Sequence, residues 1–229
     1  YHPVSLPEGV MRFHMTRRTL TPVTANNSAS LFALEGDLRL VEFHSKANAL
    51  TDESMEIVAA AAADHGKGII IHNDAQHFSA GVDLNAFRAY IEAQDWDGID
   101  GFLDRFQKAV CALKYTPVPV VGAPSGLAAG GGYEVLAHCD RLVVHTNSVM
   151  GLVEAGVGVV PGGGGIKDTF FRWHAAKDSW DEAAWQTWMN IGYGATGSSP
   201  QLSARMMYFR DNHDAVSYTH LTLPTSLAV

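Results

Sequence analysis

The chain has 229 residues, 47% hydrophobic and 10% aromatic, enough for one well-filled domain core. A formal net charge of -8, a pI near 5.7 and the absence of any arginine- or lysine-rich block exclude a broad phosphate-binding surface, so no nucleic-acid partner is expected. No apolar run approaches the roughly 18 residues of a membrane helix, so no membrane span is expected. Cys111 and Cys139 stand apart without zinc-ligand spacing, as expected of buried free thiols in a reducing compartment, the cytoplasm.

The lead-in over residues 1–29 is polar and irregular, and Tyr1 to Arg18 contains no apolar signal-peptide core. Leu38 to Phe43 alternates apolar and polar residues and predicts a half-buried strand. Asp52 to Ala63 follows as a helix with an acidic first turn and Thr51 as its N-cap, and Gly68 to His72 reads as a buried strand. Leu84 to Leu113 is helical material, with Phe87, Ile91, Phe102, Phe106 and Val110 placed for packing, and Pro117 and Pro119 end it. Val118 to Ala123 predicts a buried strand, the turn Ala128 to Gly132 opens a helix, and Arg141 to Val144 is the next strand. Ala175 to Asn190 has amphipathic helical character. Alternating β and α elements predict an α/β fold with a mainly parallel sheet, helices covering it and a site at loops beyond strand ends.

Three segments carry the candidate chemistry: Ser45 to Leu50 (SKANAL), His77 to Leu84 (HFSAGVDL), and Gly126 to Asp140 continuing to Pro161 to Gly165. Two of them hold glycine-rich turns before helices, where unpaired amides favour negative charge; such turns hold an anion or serve tight helix–strand packing. Gly156 to Pro161 begins like a dinucleotide fingerprint but has Pro161 where a third glycine belongs. His72 and His77 have no further ligands near them in sequence, so no metal site is expected.

Together these segments resemble the enoyl-CoA hydratase and isomerase superfamily, the crotonases, in order from about Ala33 to Lys167. The resemblance implies a spiral of β-β-α repeats with helices covering the sheets. It also implies an oxyanion hole made of the Val82 and Gly131 backbone amides, which would stabilise the enolate formed from a thioester. Family hydratases use two glutamates, matched here by Glu134 and Glu154, 20 residues apart (154 minus 134). Isomerase relatives usually keep only the second. Glu134 is expected to activate water and Glu154 to protonate carbon. SKANAL resembles the loop that contacts coenzyme A, with Lys46 near the phosphates and the Ala47 backbone near the adenine, while Ala80 and Val82 line the ligand. Asp83 matches a family aspartate that caps the following helix. The implied activity is hydration of trans-2-enoyl-CoA to 3-hydroxyacyl-CoA in fatty-acid β-oxidation, with no cofactor beyond the coenzyme A of the substrate. Double-bond isomerisation and a catalytically silent acyl-CoA-binding or assembly domain are the alternatives. Family members form homotrimers or dimers of trimers.

The central block, APSGLAAGGGYEV and then HCDRLVVHTNSVMGLVEAGVGVVPGGGG, is closer to the hydratase region of bifunctional 3-hydroxyacyl-CoA dehydrogenases than to stand-alone crotonases. On this reading residues 1–29 link to an upstream dehydrogenase domain, the one part that would require NAD. Residues 30–216 form the crotonase-like domain with its C-terminal helical region truncated, and residues 217–229 resemble translated adapter sequence.

Overall fold

The computed structural model describes residues 13–217. In chain order α1 (Phe13–Thr16) precedes β1 (Thr24–Ala25), β2 (Ala29–Leu34) and β3 (Leu38–Phe43), followed by α2 (Asp52–Ala63) and β4 (Gly68–His72). Next come α3 (Leu84–Ala93), α4 (Trp96–Lys114), β5 (Val120–Ala123), β6 (Leu127–Ala129), α5 (Gly131–Ala137), β7 (Arg141–His145) and β8 (Val149–Gly151). The chain continues through α6 (Gly165–Lys177), α7 (Trp180–Gly192), β9 (Thr196–Gly197), α8 (Pro200–Ala204) and β10 (Ala215–Ser217).

Seven strands form one sheet in the order β1-β2-β3-β4-β5-β7-β10, and β6-β8-β9 form a second. From β3 to β10 the large sheet is parallel, as the alternating pattern predicts, whereas β1, β2 and β3 pair antiparallel. Isolated bridges Leu50–Val82 and Ser79–Ala128 extend the smaller layer. Each repeat therefore gives one strand to the large sheet, one to the small layer, and then a helix. The runs β5–β6–α5 and β7–β8–α6 are two turns of this spiral.

Local chemistry explains the elements that the sequence locates. Thr51 caps α2 by accepting from Ser54 N, and Ser54 Oγ returns the bond to Thr51 N, which satisfies two donors that a helix start leaves open. In β4, Ile69 and Ile71 are buried in the main core together with Phe43, Phe102, Phe106 and Tyr133. The structure differs in four places. β2 pairs along its whole length with β3, in a stretch whose first residue lies in the polar lead-in. The predicted helix 84–113 is two helices, because Gln94 turns left-handed (φ 55) and Asp95 starts α4 by accepting from Gly98 N. Ala128 and Ala129 belong to β6 rather than to a turn. Ala175 to Asn190 spans a break at Asp178, after which Ser179 caps α7 by accepting from Glu182 N.

Phe13 packs edge-on against Phe32, with ring centroids 5.3 Å apart, which joins α1 to the sheet. Both cysteines are free; Cys139 is buried, whereas Cys111 is only half-buried because it lies on the outer side of α4. Among the described residues, no helix is long and apolar enough to cross a membrane. Residues 1–12, and all of the 217–229 tail but Ser217, lie outside the described residues. Ser217 itself pairs opposite His145.

Candidate functional site

The loop over residues 46–50 is fastened to the loop over residues 79–83. Leu50 N donates to Gly81 O (2.8 Å), Asp83 N to Leu50 O (2.9 Å) and Ala80 N to Ala47 O (3.2 Å), while Ser79 Oγ donates to Asn48 O (2.7 Å). Lys46, Ala47 and Ala80 consequently sit side by side and exposed. Asp83 accepts from Asn85 N at 2.9 Å and so caps α3, as its position in the motif suggests.

This zipper uses the Gly81 carbonyl and the Asp83 N–H, on either side of the Val82 N–H, but not the Val82 N–H itself. Among the described residues, neither the Val82 nor the Gly131 backbone N–H has an acceptor. The two peptides are adjacent: a Cβ on Gly131 would stand 3.4 Å from Val82 N, 2.8 Å from Val82 Cγ2 and 3.5 Å from Phe106 Cε2. A side chain at 131 would fill the space in front of both amides, which is the physical reason for glycine there.

Parallel pairing of β6 with β8 brings the glutamates to the same place. Leu127 lies opposite Val149 and Ala129 opposite Gly151, and Gly130 N donates to Gly151 O at 2.8 Å. The chain leaving β6 enters α5, which carries Glu134 one turn in; the chain leaving β8 enters a short 3-10 turn starting at Glu154. Glu154 Oε1 lies over Gly130, 2.9 Å from where a Cβ would be, and its buried Oε2 has no hydrogen-bond partner among the described residues. Glu134 is 2% exposed, and its Oε1 accepts from Gly163 N (2.8 Å) and Gly165 N (2.9 Å). Burial pushes its pKa up to about 7; the Gly165 and Gly163 amides oppose that shift and the neighbouring Glu154 adds to it. Burial likewise raises Glu154 above the ordinary carboxyl range. Two carboxyl groups titrating high beside two unoccupied backbone donors can exchange protons with a ligand whose oxygen the amides hold.

The structure thus brings Val82, Gly131, Glu134 and Glu154 together, with Lys46, Ala47 and Ala80 on the adjoining loops. The 163–165 turn is the part that sequence reasoning did not connect. Its glycines mark an anion cradle, and the anion it holds is the Glu134 carboxylate of the same chain. The His72 ring bonds Ala123 O, and His77 accepts from Leu127 N. No cluster of three or more potential metal ligands occurs among the described residues.

The sequence profile described as enoyl-CoA hydratase/isomerase matches residues 38–173, more than half of the chain. The chain belongs to the enoyl-CoA hydratase/isomerase family. A Bacillus subtilis (strain 168) protein named "Probable 3-hydroxyacyl-CoA dehydrogenase" is 30% identical over 97% of the chain, which spans only 30% of that relative's length. Mouse mitochondrial methylglutaconyl-CoA hydratase is 36% identical over 39% of the chain and 27% of its own length. Among solved structures, Pseudomonas aeruginosa DspI superposes with a TM-score of 0.70 at 21% identity, covering 85% of this chain and 70% of that one. The enoyl-CoA hydratase of Bacillus anthracis gives 0.69 at 20% identity, covering 86% and 72%. These likenesses establish the crotonase fold, and with it the expected spiral of β-β-α repeats.

Proposed function

We propose that the chain hydrates trans-2-enoyl-CoA thioesters to 3-hydroxyacyl-CoA, the hydration step of fatty-acid β-oxidation. The observation that carries this reading is the convergence of Glu134 and Glu154 on the free Val82 and Gly131 amides. The thioester carbonyl oxygen accepts from both amides. Water attacks Cβ as Glu134 Oε2 takes its proton, and the electron pair of the double bond moves onto the carbonyl oxygen as an enolate. The enolate collapses as Glu154 delivers its proton to Cα, so that the elements of water are added; a proton returns from Glu134 to Glu154 before the next turnover.

The hydrogen bonding suits the base role of Glu134. Two amides on Oε1 hold the Glu134 carboxyl group in place and leave Oε2 to take a proton. The acid role of Glu154, whose buried Oε2 has no partner among the described residues, follows the family resemblance. Burial raises both groups, Glu134 to about 7. Lys46 faces the coenzyme A phosphates, and the exposed Ala47 and Ala80 border the nucleotide. Hydration needs no further cofactor. Isomerisation requires one proton-shuttling carboxyl group, so the buried and amide-held Glu134 favours hydration.

The test is hydration of crotonyl-CoA, followed by loss of enoyl-thioester absorbance. Glu134→Gln and Glu154→Gln are each expected to lower kcat by about 10²–10⁴-fold, the usual worth of a positioned acid or base. Coenzyme A thioester binding should persist in both. Undiminished turnover in either variant overturns the mechanism.

A further inference from the structure

Glu134 owes its two amide donors to the 163–165 turn, so whatever fixes that turn fixes the general base. The turn lies tightly on α5. A Cβ on Gly163 would stand 2.6 Å from Glu134 Oε2, and one on Gly165 would stand 2.9 Å from Glu134 Cγ. Gly164 is left-handed (φ +102), and a Cβ there would meet His138 Cε1 at 2.9 Å. Four residues after Glu134, at the C-cap of α5, His138 places Nδ1 2.7 Å from Glu134 O and Nε2 3.2 Å from Asp168 Oδ2. Asp168 stands in the first turn of α6, 7% exposed, and its Oδ1 accepts from Lys114 Nζ at the end of α4. Lys167 Nζ is 3.8 Å from Oδ2.

The histidine contact is conditional. A carbonyl oxygen cannot donate, so Nδ1 carries the hydrogen, and in the neutral ring Nε2 turns a lone pair toward the carboxylate. That explains why neither Nε2 nor Oδ2 makes an aligned hydrogen bond. Burial holds the His138 pKa below its ordinary value, which favours this neutral ring. The lasting partner of Asp168 is therefore Lys114, which ties the start of α6 to α4.

Resting on the hydratase reading for its role in turnover, we propose that Asp168 is a positioning residue for Glu134. Held by Lys114, it fixes the start of α6, and with it the 163–165 turn that lies on α5, against α4, so that Oε1 is occupied by amides and Oε2 is the oxygen left to exchange the proton. The charged and titratable groups around Glu134 and this clamp are Glu154, His138, Asp168, Lys114 and Lys167, with Tyr133 and Arg172, whose guanidinium donates to Tyr133 Oη and Ala137 O, packed beside them.

The test compares wild type with Asp168→Asn in the substrate-free protein. It follows the Glu134 carboxyl titration by carbon-13 NMR, with Glu134→Gln for assignment, and the hydrogen exchange of the Gly163 and Gly165 amides. Removing the Asp168 charge would by itself lower the Glu134 pKa. Releasing two amide donors raises it. The expected result is an upward move of about one unit, with exchange at Gly163 and Gly165 faster by about tenfold or more, while β7 amides keep their protection. A downward or absent shift with unchanged exchange overturns the clamp. Should Asp168→Asn fail to fold, amide exchange in Lys114→Met decides alone: acceleration at the two glycines supports the clamp and none overturns it. Crotonyl-CoA kinetics form a separate arm, in which Asp168→Asn lowers kcat about tenfold with KM unchanged. Absence of hydration by wild type would overturn the hydratase reading while the titration and exchange results still judge the clamp.

Discussion

Glu134 is a charge kept where burial opposes it. Its pKa rises from 4.5 to about 7 on folding, so between those values the folded chain holds a proton that the unfolded chain has released. Stability therefore falls as pH rises through that window, by at most about 3 kcal/mol at 1.36 kcal/mol per unit. Glu134→Gln keeps an oxygen for the two glycine amides and cannot ionise. It is expected to be more stable than wild type at pH 8 by up to about 3 kcal/mol, the gap closing toward pH 4, as measured by urea midpoints. A gap independent of pH would contradict the assignment. On the proposed mechanism the same ionisation governs turnover: kcat/KM for hydration should fall as pH is lowered through about 7, because the base of the free protein is then protonated. On that mechanism the proposed base weakens the fold at the pH where it would act.

At the scale of elements, the clearest local signals are caps. Thr51→Ala removes the side-chain acceptor of the α2 capping box and is expected to cost about 1 kcal/mol in chemical denaturation, while Thr51→Ser should restore most of it. No change on removing the hydroxyl would mean that solvent caps α2 equally well. Caps also explain which elements were legible in the sequence. α2 and β4 carry their own instructions, a capping box and an apolar run, and both appear with the predicted bounds. β2 does not alternate: four successive residues, Ala29 to Phe32, are buried, because one side of the strand meets α2 and the other meets the α1 cluster. The break between α3 and α4 was hidden because apolar spacing continues across Gln94 and Asp95. Within the site, motif wording pointed to Val82, Gly131, Glu134 and Glu154. It could not reveal that Gly163 and Gly165 serve Glu134, since a backbone amide carries no mark of its acceptor.

Across the whole molecule, the site depends on parallel pairings between segments distant in sequence, and the large sheet is completed at one side by the last described strand. β7 becomes an interior strand because β10 covers it, and one carboxylate secures that covering. Asp214 has no exposed side-chain surface; it accepts from Leu142 N at 3.0 Å, from Arg210 N at 2.8 Å and from Arg210 Nη2 at 2.8 Å. Arg210 Nη2 also donates to Asp140 O at 2.9 Å, which ties the same stretch to the turn between α5 and β7. Asp214→Ala would leave a buried β7 amide without its acceptor and a part-buried guanidinium without its counter-charge, an expected loss of about 3 kcal/mol or more. Urea denaturation measures the total, and amide exchange locates it, with Leu142 exposed first. Because Asp214 touches none of Val82, Gly131, Glu134 or Glu154, kcat per folded molecule should be retained. A midpoint shift worth less than about 1 kcal/mol, little more than one ordinary hydrogen bond, would mean that β10 lies outside the cooperative unit and that β7 can serve as the sheet edge.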